Sequence, residues 1–425
     1  MSGLLLSALE GDGVVSNRWR FRIAVATLAL AAVGLSANTF AQGVACTGNG
    51  KISKQIAKPM DAAKNAQKAR KWRDVLTNVR EAEAAAITRT AWDQYWIHEY
   101  NGYAYFSLGQ KADAARAWEA SVASPCQPEA EKPQVYKRLA GLFFELGNNT
   151  KAIEYANRGL ASGRDPELLM TLAQAYFQSG DNKNSLRIVN EVIEGFERRG
   201  QVPKERTLVL ALNVCTRLND NTCKTRMYEK LVQHYPKTEY WENLLSALVA
   251  GDNKDEVKIN VMRLAVTVDV MKQPDQFKEM AQIALDQGLP AEAQTVIQKA
   301  AAAKVFKDKR QIDLMDRLLK RAQAEVVTDK AGLPRREADA RAATSGDLLV
   351  KLGASYLSYG ENDKAIDAIK RGIAKGKLTA ADEAGVLLGI AYLRSKNKIE
   401  AGKAFRTVSQ DPTMVRISKL WLLNT

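Results

Sequence analysis

Leu352-Gly353-Ala354-Ser355-Tyr356, closed by Tyr359-Gly360 and followed by Ala365, returns as Leu388-Gly389-Ile390-Ala391-Tyr392, followed by Ala401, Phe405 and Pro412. The two tyrosines are 36 residues apart, and so are the two alanines. That spacing holds one helix, a tight turn and a second helix. A unit of this size cannot bury its apolar face alone and does so by stacking on its neighbours. The spacing therefore predicts an all-α fold, a right-handed α-solenoid of stacked helix hairpins forming one long curved body.

Weaker copies extend the pattern toward the N-terminus. Gly102-x-x-Tyr105 turns at Leu108-Gly109 and continues with Ala114 and Trp118. Ala140-x-x-Phe143 turns at Leu146-Gly147-Asn148 and continues with Ala152, and Ala173-x-x-Tyr176 turns at Gly180-Asp181. Further units run from Glu205, from Tyr240-Trp241 and from Phe277, the last turning at Gly288-Leu289-Pro290. Apolar residues three and four apart, broken by Gly or Asn, carry the helical reading. Small residues at 102, 140, 173, 281, 353 and 389 let the helices of a hairpin approach closely.

The expected organisation is a signal peptide over 1–41, then an N-terminal segment with a first helix pair over 42–94. Repeats follow over 95–300. Residues 301–345 read as a degenerate, charged and mobile repeat, interrupted at Ala331-Gly332-Leu333-Pro334. Two clean repeats occupy 346–413. A capping helix over 414–425 is expected to turn Val415, Ile417, Leu420 and Leu423 inward.

Arg18, Arg20 and Arg22 precede the uncharged apolar run Ile23 to Leu35, and Thr39-Phe40-Ala41 offers a cleavage site. The run is short for a membrane span, so export with cleavage is the expectation, and a periplasmic protein without an integral span the result. An uncleaved anchor, or a lipid on Cys46, stays open. Export makes nucleic acid an unsuitable partner despite the formal charge of +14. Acidic proteins or anionic envelope surfaces fit that charge better. Four cysteines, Cys46, Cys126, Cys215 and Cys223, suit an oxidising compartment and two bridges. Cys215–Cys223 would staple one hairpin, and Cys46–Cys126 is the remaining pair.

These motifs resemble the tetratricopeptide repeat family, whose pattern places Leu-Gly-x2-Tyr on the first helix, Ala-x3-Phe on the second and Pro at the end. The likeness spans roughly Tyr95 to Pro412. More narrowly, Tyr235-Pro236, Tyr240-Trp241 and Gly288-Leu289-Pro290-Ala291-Glu292-Ala293 look like periplasmic repeat proteins associated with TonB–ExbB–ExbD energy transduction. That likeness implies an adaptor role. An envelope-polymer assembly adaptor, or an envelope-polymer-active enzyme, are the alternatives.

The first helix of each hairpin should line a concave groove. Phe106, Phe144 and Phe177, one per consecutive repeat, should point into it, with Trp96, Tyr103 and Met170 on the same face and Leu357 and Leu393 in the equivalent place near the C-terminus. Such a ladder would grip a protein or peptide partner by its apolar side chains. Lys137, with Arg138 and Asn213, could hold a peptide carboxylate. No catalytic residue, metal site or cofactor is expected. The two histidines, His98 and His234, lie in different repeats, and no phosphate loop, zinc-protease or nucleophile-elbow motif is present.

Overall fold

The protein is described by a computed structural model covering Cys46, residues 50–251 and residues 254–425. The expected signal peptide lies outside the described residues. Every regular element among the described residues is helical. The hairpins run in chain order as α1 (Lys54–Lys68) with α2 (Trp72–Ala85), α3 (Ala91–Ser107) with α4 (Lys111–Ala123), α5 (Lys132–Glu145) with α6 (Asn149–Leu160), and α7 (Pro166–Gln178) with α8 (Asn182–Arg198). They continue as α9 (Glu205–Arg217) with α10 (Asn221–His234), α11 (Thr238–Val249) with α12 (Asp255–Thr267), and α13 (Pro274–Asp286) with α14 (Pro290–Ala302). A single helix, α15 (Lys309–Ala342), leads to α16 (Asp347–Ser358) with α17 (Asn362–Lys375), α18 (Ala381–Arg394) with α19 (Lys398–Arg406), and the terminal α20 (Pro412–Leu422).

Local chemistry sets the boundaries. Thr90, Asn148, Asp165, Asp181, Asp220, Asp308, Asn397 and Asp411 each accept a backbone N–H of the helix they precede. These caps satisfy donors that have no partner inside the helix. Gly109 and Gly147, at φ of 76° and 75°, make the left-handed residue between the paired helices, where a Cβ would be strained. Stacking then buries one continuous core from Ala114 to Trp421 and a smaller one under α1 to α3 around Ile56, Met60, Val79 and Ile97.

Three expectations change. First, the break expected at residues 331–334 is absent, and one helix of 34 residues replaces the degenerate pair. Pro334 sits on its exposed side, where water can take the carbonyl left without a donor. Across the proline, Arg336 donates to both the carbonyl and the carboxylate of Asp329, the latter at 2.7 Å, and Tyr359 donates to the same carboxylate at 2.6 Å. Met315, Ala322 and Ala340 anchor the helix in the core.

Second, the inward face of α20 is Met414, Ile417, Leu420 and Trp421, whereas Leu423 is exposed. Trp421, not included in the expectation, stacks on Phe405 with ring centroids 5.7 Å apart. Third, the solenoid does not stay open. Its last helix returns to α12, and Arg416 pairs with Glu229 of α10, so α12 to α20 close into a ring.

Candidate peptide-binding groove and its neighbours

The groove begins with α3. Thr90 and Asp93 form a reciprocal cap, and the fully buried Asp93 carboxylate also accepts the Ser53 amide at 2.7 Å. Burial pushes Asp93 up, but the Ser53 and Thr90 donors outweigh it and hold the carboxyl below its ordinary range. This fixes the start of α3 against the preceding hairpin. One helical turn from its end, Gly102 leaves room for Trp118, whose indole nitrogen would lie 2.5 Å from a Cβ at that position.

Trp118 is 1% exposed and forms the floor of an aromatic node. Tyr103 meets it edge-on at 5.4 Å and Phe106 lies tilted against it at 5.7 Å. Phe106 is 52% exposed, so half its ring is available to a partner. From the next repeat, Arg138 sits 5.2 Å from the Tyr103 ring and 5.1 Å from that of Trp118. A guanidinium over ring faces is attracted by the ring quadrupole and needs no carboxylate. The same pairing recurs two repeats later: Arg217 lies 3.7 Å from the Phe177 ring and donates to the Phe177 carbonyl at 2.8 Å. Phe144, between the two nodes, is half-buried against the main core.

The expected groove residues thus divide. Tyr103, Phe106, Phe144 and Phe177 keep accessible surface on the first helices of consecutive hairpins. Met170 does not: it is 7% exposed and belongs to the core, as does Leu357 at 3%. Trp96 packs on the cluster beneath α1 and α2, with Tyr95 at 5.1 Å, because the preceding hairpin covers that side of α3. Lys137 is committed to Asp165 at 2.7 Å and Glu167 at 2.9 Å. These hydrogen bonds raise its pKa and make it a fastener between α5 and α7 rather than a free carboxylate binder. Asn213 is exposed on α9 without joining Lys137. The structure pairs Cys46 with Cys126 and Cys215 with Cys223.

Arg217 was missed by the motif reading, which stopped at the aromatic position. A signal existed. A charged residue immediately before the turn repeats as Glu145, Arg217 and Arg394, and each reaches back one repeat. Glu145 pairs with Lys111 at 2.9 Å, and Arg394 donates to the Leu357 carbonyl at 2.9 Å, as Arg217 does to Phe177.

The tyrosines of the narrower resemblance also serve stacking. Tyr235 donates to the Pro203 carbonyl at 3.0 Å and Tyr240 to Glu205 at 2.5 Å, and burial together with that carboxylate pushes Tyr240 up to about 12. His98 is half-buried, and burial lowers its pKa. Among the described residues, no group of three or more His, Cys, Asp or Glu is arranged to hold a metal, and no helix is long and apolar enough to cross a membrane.

Comparison with known proteins gives one family match, to the tetratricopeptide repeat, over residues 101–167. No curated protein matches the chain. Among solved structures, a tetratricopeptide repeat protein from Parabacteroides merdae aligns at 13% identity and TM-score 0.31, covering 77% of this chain and 99% of that one. The C-terminal part of a repeat-containing protein from Cytophaga hutchinsonii aligns at 14% identity and TM-score 0.34, covering 61% and 86%. PilW, a type IV pilus biogenesis factor, aligns at 16% identity and TM-score 0.32, covering 45% and 83%. At these scores nothing about function follows from the likeness.

Proposed function

The chain is a tetratricopeptide-repeat protein, and on that premise we propose that it is an exported, non-catalytic scaffold holding an extended segment of a protein partner on α3, α5, α7 and α9. The observation that carries this reading is the row Tyr103, Phe106, Phe144 and Phe177, half-buried or exposed, with Arg138 and Arg217 lying on its rings rather than on carboxylates. Aromatic side chains with fixed rotamers supply contact area at low entropic cost, and arginines resting on ring faces keep their charge available to acidic or carbonyl-rich segments. Two disulfides support an oxidising compartment, and with it the periplasmic expectation.

A TonB-type adaptor role would be a finer version of the same reading. Of the residues that suggested it, Tyr235 and Tyr240 are used here to join helices.

The test is a crosslinking pull-down from the envelope fraction with wild type and with the triple variant Phe106→Ser, Phe144→Ser, Phe177→Ser. Capture should fall about tenfold or more for the variant while helix content by circular dichroism is kept. Equal capture by both proteins, at low and high salt, rejects the groove. Recovery of the chain in the cytoplasmic fraction with four free thiols rejects export.

A further inference from the structure

Beneath the aromatic groove lies a carboxyl that the binding reading does not use. Glu99 of α3 is 8% exposed, and Ser121 of α4, fully buried, donates its hydroxyl to it. Gln127, buried and next to the bridged Cys126, places its carbonyl oxygen 3.2 Å from the same hydroxyl. Ser121 thus has one hydrogen for two acceptors. A proton on Glu99 resolves the count: Glu99 donates to Ser121, and Ser121 donates to Gln127. An ionised Glu99 instead requires the Gln127 amide to turn over and donate to Ser121. Two consistent arrangements around Ser121 therefore differ by one proton.

The position of this cluster couples it to the groove. Glu99 and Tyr103 are four residues apart on α3, and Trp118 and Ser121 three apart on α4, so each pair shares a helix face. The contact of Glu99 with Ser121 is one turn below that of Tyr103 with Trp118, on which Arg138 lies. The Arg138 Nη1 is buried with no hydrogen-bond partner, so ring faces and nearby charge hold the guanidinium. Burial pushes Glu99 above the ordinary 4.5; Ser121 and Arg138 oppose the rise, and Glu131, before α5, adds to it. Tyr95 faces the same cluster, and burial with the Glu99 and Glu131 charges pushes it up to about 12, which keeps it neutral. His98 feels Glu83 and Arg89 instead.

We propose that Glu99 is a proton switch for the groove, a regulation that rests on the binding reading above: ionised, it partly cancels the charge of Arg138, and protonated, it leaves that charge at full strength for an anionic group of the partner. Glu99 is a positioning residue that acts through Arg138. Acidic segments are held more strongly as the pH falls and Glu99 takes up its proton.

The experiment uses the full chain and two readouts between about pH 8 and about pH 4.5. The first needs no partner. The Trp118 indole N–H resonance, assigned with Trp118→Phe, should show one titration step above the ordinary carboxylate range in wild type and none in Glu99→Gln. Ser121→Ala, which removes the donor opposing burial, should move the step to higher pH and serves where Glu99→Gln does not fold. The second readout is the fluorescence of anilinonaphthalene sulfonate, an aromatic anion whose charge is constant over this range. The share of dye binding lost in Phe106→Ser should strengthen about threefold to tenfold in wild type as the pH falls, and keep its acid-side strength throughout in Glu99→Gln. A Trp118 signal that is flat in wild type, that titrates alike in Glu99→Gln, or that does not move in Ser121→Ala overturns the switch, whatever the groove binds. Phe106-dependent dye binding that is flat with pH overturns the coupling to Arg138. Dye binding indifferent to Phe106→Ser rejects the groove itself, and the regulation with it, even where the Trp118 step is present.

Discussion

Arg416 of α20 meets Glu229 of α10 across 187 residues of sequence, with Nη2 3.2 Å from Oε2. The pair is partly exposed, at 36% and 25%, so its loss should cost at most about 1 kcal/mol. Arg416→Ala should therefore leave the ring closed. Trp421 is 1% exposed and stacks on Phe405 of α19, and Trp421→Ala should cost about 3–5 kcal/mol and loosen the packing that seats α20. Small-angle scattering would read this as a larger radius of gyration for Trp421→Ala and an unchanged one for Arg416→Ala. The reverse pattern would mean that charge, not apolar packing, holds the seam.

The buried pair Arg263 and Glu292 gives a second prediction. Glu292→Gln leaves a guanidinium without its counter-charge and should destabilise by about 3–5 kcal/mol. Replacing both, as Arg263→Met with Glu292→Leu, should restore most of that loss. Burial pushes Glu292 up, but Arg263 outweighs it and holds the carboxyl below the ordinary 4.5. A depressed folded-state pKa adds stability that is present above the unfolded value and lost as pH falls through the folded one. Acid should thus weaken the wild type below about pH 4.5, and the double variant less, in melts taken from neutral pH downward.

Glycine substitutions should rank by what a methyl group meets. Gly346→Ala would place its Cβ 1.9 Å from the Gly372 carbonyl oxygen, which is backbone and cannot rotate away. It should be the most damaging of the set. Gly102→Ala and Gly389→Ala press on Trp118 at 2.5 Å and Phe405 at 2.4 Å and should cost about 1–3 kcal/mol each. Gly141→Ala meets nothing within 4 Å inside α5 and should stabilise by about 0.5–1 kcal/mol. Denaturant midpoints of the four variants check the order.

The two disulfides close loops of very different size, 80 and 8 residues apart in sequence. Loop-closure entropy predicts losses of about 4–5 kcal/mol for Cys46→Ser with Cys126→Ser, and about 2–3 kcal/mol for Cys215→Ser with Cys223→Ser. Thermal melts of the two double variants, compared with wild type, would show whether the longer bridge contributes more.

Hairpins were legible in the sequence because they are local: Gly389 and Phe405, or Gly102 and Trp118, meet within one repeat and repeat with it. The continuity of α15 was not. Pro334 looks like a stop, and the brace that sustains the helix around it, Asp329 with Arg336 and Tyr359, draws on a residue 30 positions away. Ring closure was illegible for the same reason, since periodicity describes neighbours and not the meeting of Arg416 with Glu229. In the groove, helical spacing placed Phe106 and Phe177 on one face of their helices. It could not tell that the preceding hairpin covers Trp96 or that Met170 faces the core, because cover comes from adjacent units.

The unbroken course of α15 also makes it a phase-setting axle. Each residue of a helix advances about 100° and 1.5 Å, so one residue inserted near Ala324 would swing α16 to α20 by roughly a quarter-turn and carry α20 away from α12. Seven inserted residues would return the angle almost to its start while lengthening the span by about 10 Å. The C-terminal half therefore tolerates changes of residue along α15 far better than changes of length.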